Sequence, residues 1–258
     1  EFMQEIPAED CPYIHIGSDE VKVADPKGFM TFCEDIVKAG GRTPIAWFPG
    51  LPSAEGTISQ IWTEKASKVI GTELQGGYLD SYMGYLNLSC PLLNTANFYL
   101  HQLCAVNEYN GKALGGTLCL WNDVRVVDKS KTFPHNGMPE GLLSFAESSW
   151  IGGPQRSWTD YIEFEKKLIH HRDVHLKEWP MRWAANGHIP WQITVSDSNG
   201  NTIIERTETY GGCVDLNKFC KDNGVTPGKE RIEAYLTTNI YVEKDTVITA
   251  WIGFDSPA

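Results

Sequence analysis

Over the first 150 residues, short β-prone runs alternate with helical or irregular segments, and this alternation constrains the fold more than any other feature. The clearest helical segment follows Pro26, has apolar residues at three- and four-residue spacing, and stops at Gly40-Gly41. Strands separated by such crossovers predict an α/β fold with a parallel sheet. The five predicted strands begin near residues 13, 43, 57, 78 and 114, and a helix is predicted after the last of them, over Met138–Ile151. Five strands are too few to close an eight-stranded barrel, so we expect the chain to start partway through one.

The pattern changes after Gly152-Gly153-Pro154. A helical rhythm from Tyr161 to Trp179 predicts a connector helix. Short strands separated by turn signals follow Pro190, the last of them over Thr246–Phe254. The latter pattern is typical of an antiparallel β-sandwich-like domain. We therefore predict a catalytic part over residues 1–155, a connector helix over 156–185 and a β-sandwich-like domain over 186–258.

Composition and charge exclude several classes of partner. The formal net charge is −11. Lys and Arg form no basic block, which disfavours nucleic acid. No run approaches the roughly 18 apolar residues that a membrane span requires, so no span is expected. The sequence shows no His/Cys/acid spacing typical of a metal site and no glycine-rich phosphate loop, so neither a metal nor a cofactor is expected.

The sharpest local signal is the run His-Ile-Gly-Ser-Asp-Glu-Val at residues 15–21. Side chains alternate along a strand, so His15, Gly17 and Asp19 share one face. Asp19 and Glu20 then fall at the carboxyl end of a strand, where barrel enzymes place their catalytic groups. An isolated Asp-Glu pair in this position is typical of a solvated turn. The preceding His-x-Gly-x and the tryptophans that end later strands favour a catalytic pair.

This run resembles the active-site motif of glycoside hydrolase family 20 (GH20), and the likeness extends over roughly residues 1–150. The resemblance implies that these residues form about the fourth to eighth strands of a (β/α)8 TIM barrel. It also implies a retaining exo-β-N-acetylhexosaminidase, one of the substrate-assisted exceptions among glycosidases, in which the 2-acetamido oxygen attacks its own anomeric carbon. By this resemblance Glu20 is the acid and base, and Asp19 stabilises the acetamide as it becomes cationic.

The resemblance also assigns a substrate pocket. Three tryptophans at strand ends would surround the acetamide, the Tyr-Leu-Asp run at 78–80 would bond its oxygen and support the pocket, and the acid after the last tryptophan would bind sugar hydroxyls. These residues are Trp47, Trp62, Tyr78, Asp80, Trp121 and Asp123. Any one tryptophan alone is more typical of core packing. Two departures are Asp123, where many members have Glu, and the lack of any tryptophan between residues 81 and 120, where Tyr82, Tyr85 or Tyr99 could substitute.

The sequence allows two interpretations of His15. As a neighbour of the carboxylates it could tune their protonation, but a histidine within a strand is more typical of hydrogen-bonded scaffold, and we favour the scaffold.

The expected partner is a glycan or glycoconjugate with a terminal N-acetylhexosamine. Family resemblance implies a location outside the cytoplasm: secreted, periplasmic or at the cell surface. Two alternatives remain open. One is a lacto-N-biosidase type of the same family, and the other is a carbohydrate-binding fragment without turnover because the N-terminal barrel half is missing.

Overall fold

The structure is a computed structural model with an α/β fold. It describes residues 2–68, 70, 74, 76–87, 91–121, 128, 130, 138–178, 187–226, 228 and 231–247. Five strands form one parallel sheet in chain order, which confirms the predicted parallel arrangement. The strands are β1 (Tyr13–His15), β2 (Thr43–Phe48), β3 (Ile58–Ile61), β4 (Tyr78–Asp80) and β5 (Ala113–Gly116).

The crossover between β1 and β2 is the predicted helix. It runs over Pro26–Ala39 and is called α2, after the short α1 at Phe2–Glu5. Asp25 caps it by accepting a hydrogen bond from the Gly28 amide, and a proline in the first turn costs no hydrogen bond. Two shorter helices lie between later strands: α3 (Glu64–Ser67) and α4 (Pro91–Leu100).

The strand register defines two faces of the parallel sheet. Trp47 is in register with Gln60, and His15 lies on the same side because residues two apart in a strand share a face. We call this the inner face. Ser59, one position from Gln60, is in register with Tyr78, which therefore points to the opposite, outer face.

The outer face carries the packed core of the sheet. Ile61 and Tyr78 are fully buried there in a cluster with Cys104, and Phe48 and Ala113 pack against it. Burial of this kind stabilises the fold by roughly 25 cal/mol per Å² of apolar surface. The inner face is more open, since Tyr13 and His15 are exposed. The catalytic candidates thus stand on the face opposite the packed core that the described residues form.

Two longer helices follow β5. The first, α5 (Met138–Ile151), has the predicted bounds. The second, α6 (Trp158–His170), begins with a capping box between Ser157 and Asp160 and continues as a π-helical turn over His171–His175. Residues 179–186, at the end of the predicted connector, lie outside the described part of the chain. Helix α6 packs on α4 through stacked rings of Tyr99 and Phe164, whose centroids are 4.7 Å apart.

The C-terminal part forms a separate antiparallel sheet with the central strand β6 (Pro190–Asp197) between β7 (Thr202–Tyr210) and β8 (Ile232–Thr237). The predicted antiparallel pairing is confirmed. Over the described residues, however, the layer on this sheet is helix α7 (Leu216–Asp222) and not a second sheet, because Phe219 and Cys220 fill the core against β6. The last predicted strand, Thr246–Phe254, is not formed at its first two residues, and the rest lies outside the described residues.

None of the helices in the described ranges is long and apolar enough to cross a membrane.

Candidate active site

The turn at residues 17–20 follows β1 and carries both acids; we call it the carboxylate turn. Its backbone has positive φ at Gly17 (76°), Ser18 (102°) and Glu20 (51°). Such angles favour glycine, and other residues persist there only where neighbouring contacts enforce them, as the bonds of Ser18 do. The Trp47 amide donates to the Gly17 carbonyl (2.9 Å), and the Ser18 hydroxyl donates to the Trp47 carbonyl (3.2 Å). The turn is therefore fixed against the carboxyl end of β2.

Close packing at Gly50 completes this attachment. The Leu51 amide donates to the Ser18 carbonyl at 2.8 Å. A Cβ at position 50 would lie 2.5 Å from both the Ser18 hydroxyl and the Trp47 carbonyl. Glycine is required here because the backbone passes so close to the turn.

His15 lies beneath the carboxylate turn. Its Nδ1 accepts a hydrogen bond from the Gly17 amide at 3.0 Å, and its ring centroid is 4.9 Å from that of Trp47. Partial burial lowers the pKa of His15, while Asp19 and a hydrogen bond to the Gln60 side chain act in the opposite direction. The ring is thus biased towards its neutral form.

A row of polar side chains continues from His15 across the inner face; we call His15, Gln60, Ser81 and Cys119 the polar layer. Gln60 donates from Nε2 to the Ser81 hydroxyl (3.3 Å), and that hydroxyl donates to the Ile61 carbonyl (2.8 Å). Ser81 also hydrogen-bonds Cys119, whose pKa is raised by burial. Gln60 and Ser81 are buried, so the polar layer is a hydrogen-bonded group of side chains on the inner face, below the carboxylate turn.

Aromatic side chains stand at the carboxyl end of the inner face. The ring centroids of Trp47 and Trp121 are 6.2 Å apart, and Trp121 is 45% exposed. Trp62 is half-buried, and its indole N–H donates to the Pro49 carbonyl at 2.8 Å. Partly exposed indole faces beside carboxylates form a surface suited to an amphipathic ligand such as a sugar.

Tyr85 joins this group, although the sequence suggested it only as one of three substitutes for a tryptophan. An isolated parallel bridge places it beside Cys119. Burial raises the pKa of Tyr85 to about 12, and both carboxylates, Asp19 and Glu20, add to the increase. A side-chain hydrogen bond from Trp121 acts against it. Tyr85 is therefore a neutral hydroxyl close to both acids.

Tyr78 and Asp80 lie on the other side of the sheet, contrary to the arrangement expected from the sequence. The Tyr78 hydroxyl donates to the Cys104 carbonyl (3.1 Å), and the residue is 1% exposed. Asp80 accepts from the His101 ring (2.7 Å) and from the backbone amides of Cys104 (2.8 Å) and Tyr82 (3.1 Å). The reason is register: Tyr78 is aligned with Ser59, one position away from Gln60. These two residues support the turn after α4 and do not meet the carboxylates.

The structure therefore brings together Asp19, Glu20, Trp47 and Trp121, with Trp62 at the neighbouring strand end. Asp123 lies outside the described residues. Sequence reasoning missed Gln60 and Ser81, which alternation could have indicated: Gln60 is two positions before Trp62, and Ser81 is two after Leu79.

Two observations bear on other sites. No group of three or more His, Cys, Asp or Glu side chains in the described ranges is arranged to hold a metal ion. A cavity of about 360 Å³ lies away from the carboxylates, between the turn at Leu103–Ala105 and the end of α5, and its lining includes Cys104 and Arg156. It contains none of the predicted site residues.

Comparison with known proteins gives a likeness of structure. A GH20 exo-β-N-acetylglucosaminidase from Vibrio harveyi, solved in complex with N-acetylglucosamine, is 19% identical with a TM-score of 0.53, and the match covers 70% of this chain and 35% of that one. The two chains share a fold. The present chain spans about a third of the length of the Vibrio protein.

A β-N-acetylhexosaminidase from Bacteroides fragilis is 21% identical with a TM-score of 0.47, and the match covers 70% of this chain and 44% of that one. The sequence matches no family model and no curated protein.

Proposed function

We propose that this chain carries the catalytic residues of a retaining exo-β-N-acetylhexosaminidase of the GH20 type. The observation that carries the proposal is the grouping on one sheet face. The carboxylate turn with Asp19 and Glu20 is fixed to the backbone of Trp47, and Trp121 and Tyr85 lie next to it. The shared fold with the Vibrio enzyme supports the same interpretation.

The proposed chemistry uses the substrate as its own nucleophile. Glu20 gives its proton to the leaving glycosidic oxygen while the acetamido oxygen bonds to the anomeric carbon, which forms an oxazolinium intermediate. Asp19 accepts a hydrogen bond from the acetamide N–H and stabilises the positive charge that develops there. Water then attacks the anomeric carbon and opens the oxazolinium ring, while Glu20 removes a proton from that water. The two successive inversions at the anomeric carbon retain its configuration, and both carboxylates return to their starting states.

The aromatic residues would orient the sugar for this step. An intramolecular attack depends on geometry more than on activation of the nucleophile. Trp47, Trp62 and Trp121 would enclose the acetamido group, and Asp123 would bind sugar hydroxyls. The indole N–H of Trp121 can only donate, so it takes a lone pair of the Tyr85 oxygen and leaves the tyrosine proton for a substrate oxygen. Because the pKa of Tyr85 is about 12, its hydroxyl keeps that proton at neutral pH.

We further propose that β1 to β5 are about the fourth to eighth strands of a (β/α)8 TIM barrel over residues 1–155. A connector helix over 156–185 and a C-terminal domain over 186–258 would follow. A further N-terminal part would then cover the inner face, where Tyr13 is 53% exposed. The substrate would be a glycan or glycoconjugate with a terminal β-linked GlcNAc or GalNAc, met outside the cytoplasm.

The openness of the inner face favours one alternative, a carbohydrate-binding chain without turnover. In such a chain the acids would hold a sugar, but the open site would not exclude water well enough for catalysis. A lacto-N-biosidase type is a second alternative within the same fold, and it would release a disaccharide.

Hydrolysis of a chromogenic N-acetyl-β-glucosaminide tests the proposal directly. We expect release of the chromophore and of N-acetylglucosamine, inhibited by a thiazoline mimic of the cyclic intermediate. Asp19→Asn should lower the rate of the first step more than the affinity for N-acetylglucosamine, because the charge of Asp19 acts mainly on the cationic acetamide. Binding without hydrolysis would select the binding alternative, and release of a disaccharide from a suitable glycan would select the lacto-N-biosidase type.

A further inference from the structure

The carboxylate turn has an unusual backbone for its sequence. Ser18 and Glu20 both have positive φ although neither is glycine. Such conformations persist only where neighbouring contacts enforce them. The direction in which Asp19 and Glu20 point therefore depends on the bonds that hold this turn.

Most of those bonds come from β2 and the loop that follows it, but one comes from β1 itself. The Trp47 amide and carbonyl bind Gly17 and Ser18, and the Leu51 amide binds the Ser18 carbonyl. The bond from the Gly17 amide to Nδ1 of His15 is the contact that closes the turn onto its own strand, at 3.0 Å.

This bond also fixes the tautomer of His15. A backbone amide can only donate, so Nδ1 must be unprotonated, and the single ring proton of the neutral imidazole lies on Nε2. The Gln60 side chain hydrogen-bonds the histidine, and Gln60 in turn donates to Ser81. Nδ1 is held by the Gly17 amide, and the Trp47 ring lies against the imidazole with the two ring centroids 4.9 Å apart.

We propose that His15 is a positioning residue of the active site, which as the neutral Nε2–H tautomer accepts the Gly17 amide and so sets the direction of Asp19 and Glu20. This inference rests on the proposed function. His15 does not touch the substrate; it acts through the carboxylate turn. Loss of its bond should lower kcat more than it raises KM, because Trp47 and Trp121 would still bind the sugar while the acids are misdirected.

Two substitutions separate the bond to Gly17 from the bond to Gln60. In His15→Asn the side-chain oxygen is two bonds beyond Cβ, as Nδ1 is, and can accept the Gly17 amide. In His15→Gln an Nε2 donor for Gln60 remains, but the acceptor at the δ position is lost. We expect the Gln variant to lose about 10- to 100-fold in kcat and the Asn variant to stay within about 3-fold of the original chain, since small displacements of catalytic groups have effects of that size. A role in stability alone would lower the melting temperature of both without this split in kcat.

Equal kcat values for the two variants, whether both high or both low, would overturn the proposal, as would a less active Asn variant. Nitrogen NMR of the original chain gives a measurement that does not depend on the variants' folding: a protonated Nδ1 on His15 would also overturn it. If the original chain neither hydrolyses an N-acetyl-β-glucosaminide nor binds N-acetylglucosamine, the proposed function fails and the role of His15 fails with it. If the original chain is active but the two His15 variants do not differ in kcat, the proposed function stands and only the role of His15 is overturned.

Discussion

The two faces of the parallel sheet use similar residues for different purposes. On the inner face, Asp19 and Glu20 stand in an open turn beside aromatic rings, above a polar layer. On the outer face, Asp80 is 1% exposed and accepts three hydrogen bonds from its own chain. An acid whose oxygens are all engaged by the protein stabilises a fold, whereas an acid left open to solvent can meet a ligand. The contrast predicts that substitutions on the inner face change activity and substitutions on the outer face change stability.

The largest effect on activity is expected at the proposed acid. Glu20→Gln should reduce hydrolysis of a chromogenic N-acetyl-β-glucosaminide by roughly 1,000-fold, because an amide cannot supply the proton that the leaving oxygen needs. Glu20 is exposed, so the melting temperature should remain unchanged. Paired rate and melting measurements check both parts. A Gln variant that retains full activity would remove Glu20 from the mechanism.

The outer-face counterpart is Asp80. Asp80→Ala should lower the free energy of unfolding by about 3 kcal/mol, since the His101 ring and two backbone amides lose a buried acceptor. Urea unfolding followed by circular dichroism would measure this loss. If instead the variant unfolds like the original chain but has lost substrate binding, Asp80 belongs to the site and the division between the faces is incorrect.

A third acid extends the comparison to the C-terminal sheet. Glu165 on α6 accepts from the Gly212 amide through Oε1, while its buried Oε2 has no hydrogen-bond partner among the residues that the structure describes. Burial raises the pKa of Glu165 from 4.5 to about 7. The folded protein thus holds a proton that the unfolded chain releases above pH 4.5, so the free energy of unfolding should fall as pH rises from 5 to 7, by about 2 kcal/mol from this group.

Glu165→Gln is the control for this dependence. The amide has no proton to release in this range. The unfolding free energy of the variant should therefore fall by about 2 kcal/mol less between pH 5 and 7 than that of the unsubstituted protein. Urea titrations of both proteins at several pH values would show it. Parallel curves for the two would mean that Glu165 titrates normally in the folded protein.

The smallest expected effect separates two tyrosines. Tyr85→Phe should lower kcat/KM by roughly 10-fold, the value of one neutral hydrogen bond to the substrate. Tyr78→Phe should instead lower the free energy of unfolding by about 1 kcal/mol, since it removes the donor to the buried Cys104 carbonyl. The reverse outcome, with activity lost at Tyr78 and unchanged at Tyr85, would mean that β4 presents its other face to the substrate.

These two tyrosines also show what the sequence could and could not predict. Local signals were sufficient for α2, which has a capping Asp25 and a glycine stop, and for α5. The motif at residues 15–21 predicted the acids at a strand end. The face of Tyr78 depends on the register between β3 and β4, which is a contact between distant residues that spacing along one strand does not reveal.

Two helices were not predicted for related reasons. Helix α4 is largely apolar, with little separation of polar and apolar faces, so it has weak helical periodicity. Helix α7 has only seven residues and gains its stability from Phe219 and Cys220 packing on the antiparallel sheet. The polar layer likewise became visible only when strands β1, β3 and the bridge at Tyr85 were aligned.

The central claim is that a sugar binds on the inner face, and indole NMR tests it most directly. Titration with N-acetylglucosamine should shift the side-chain N–H signals of Trp47 and Trp121. Trp158, buried against α4, and Trp191, whose indole donates to the Gly211 carbonyl, should not move. Shifts confined to Trp158 and Trp191, or no shift of any indole at saturating sugar, would contradict the account.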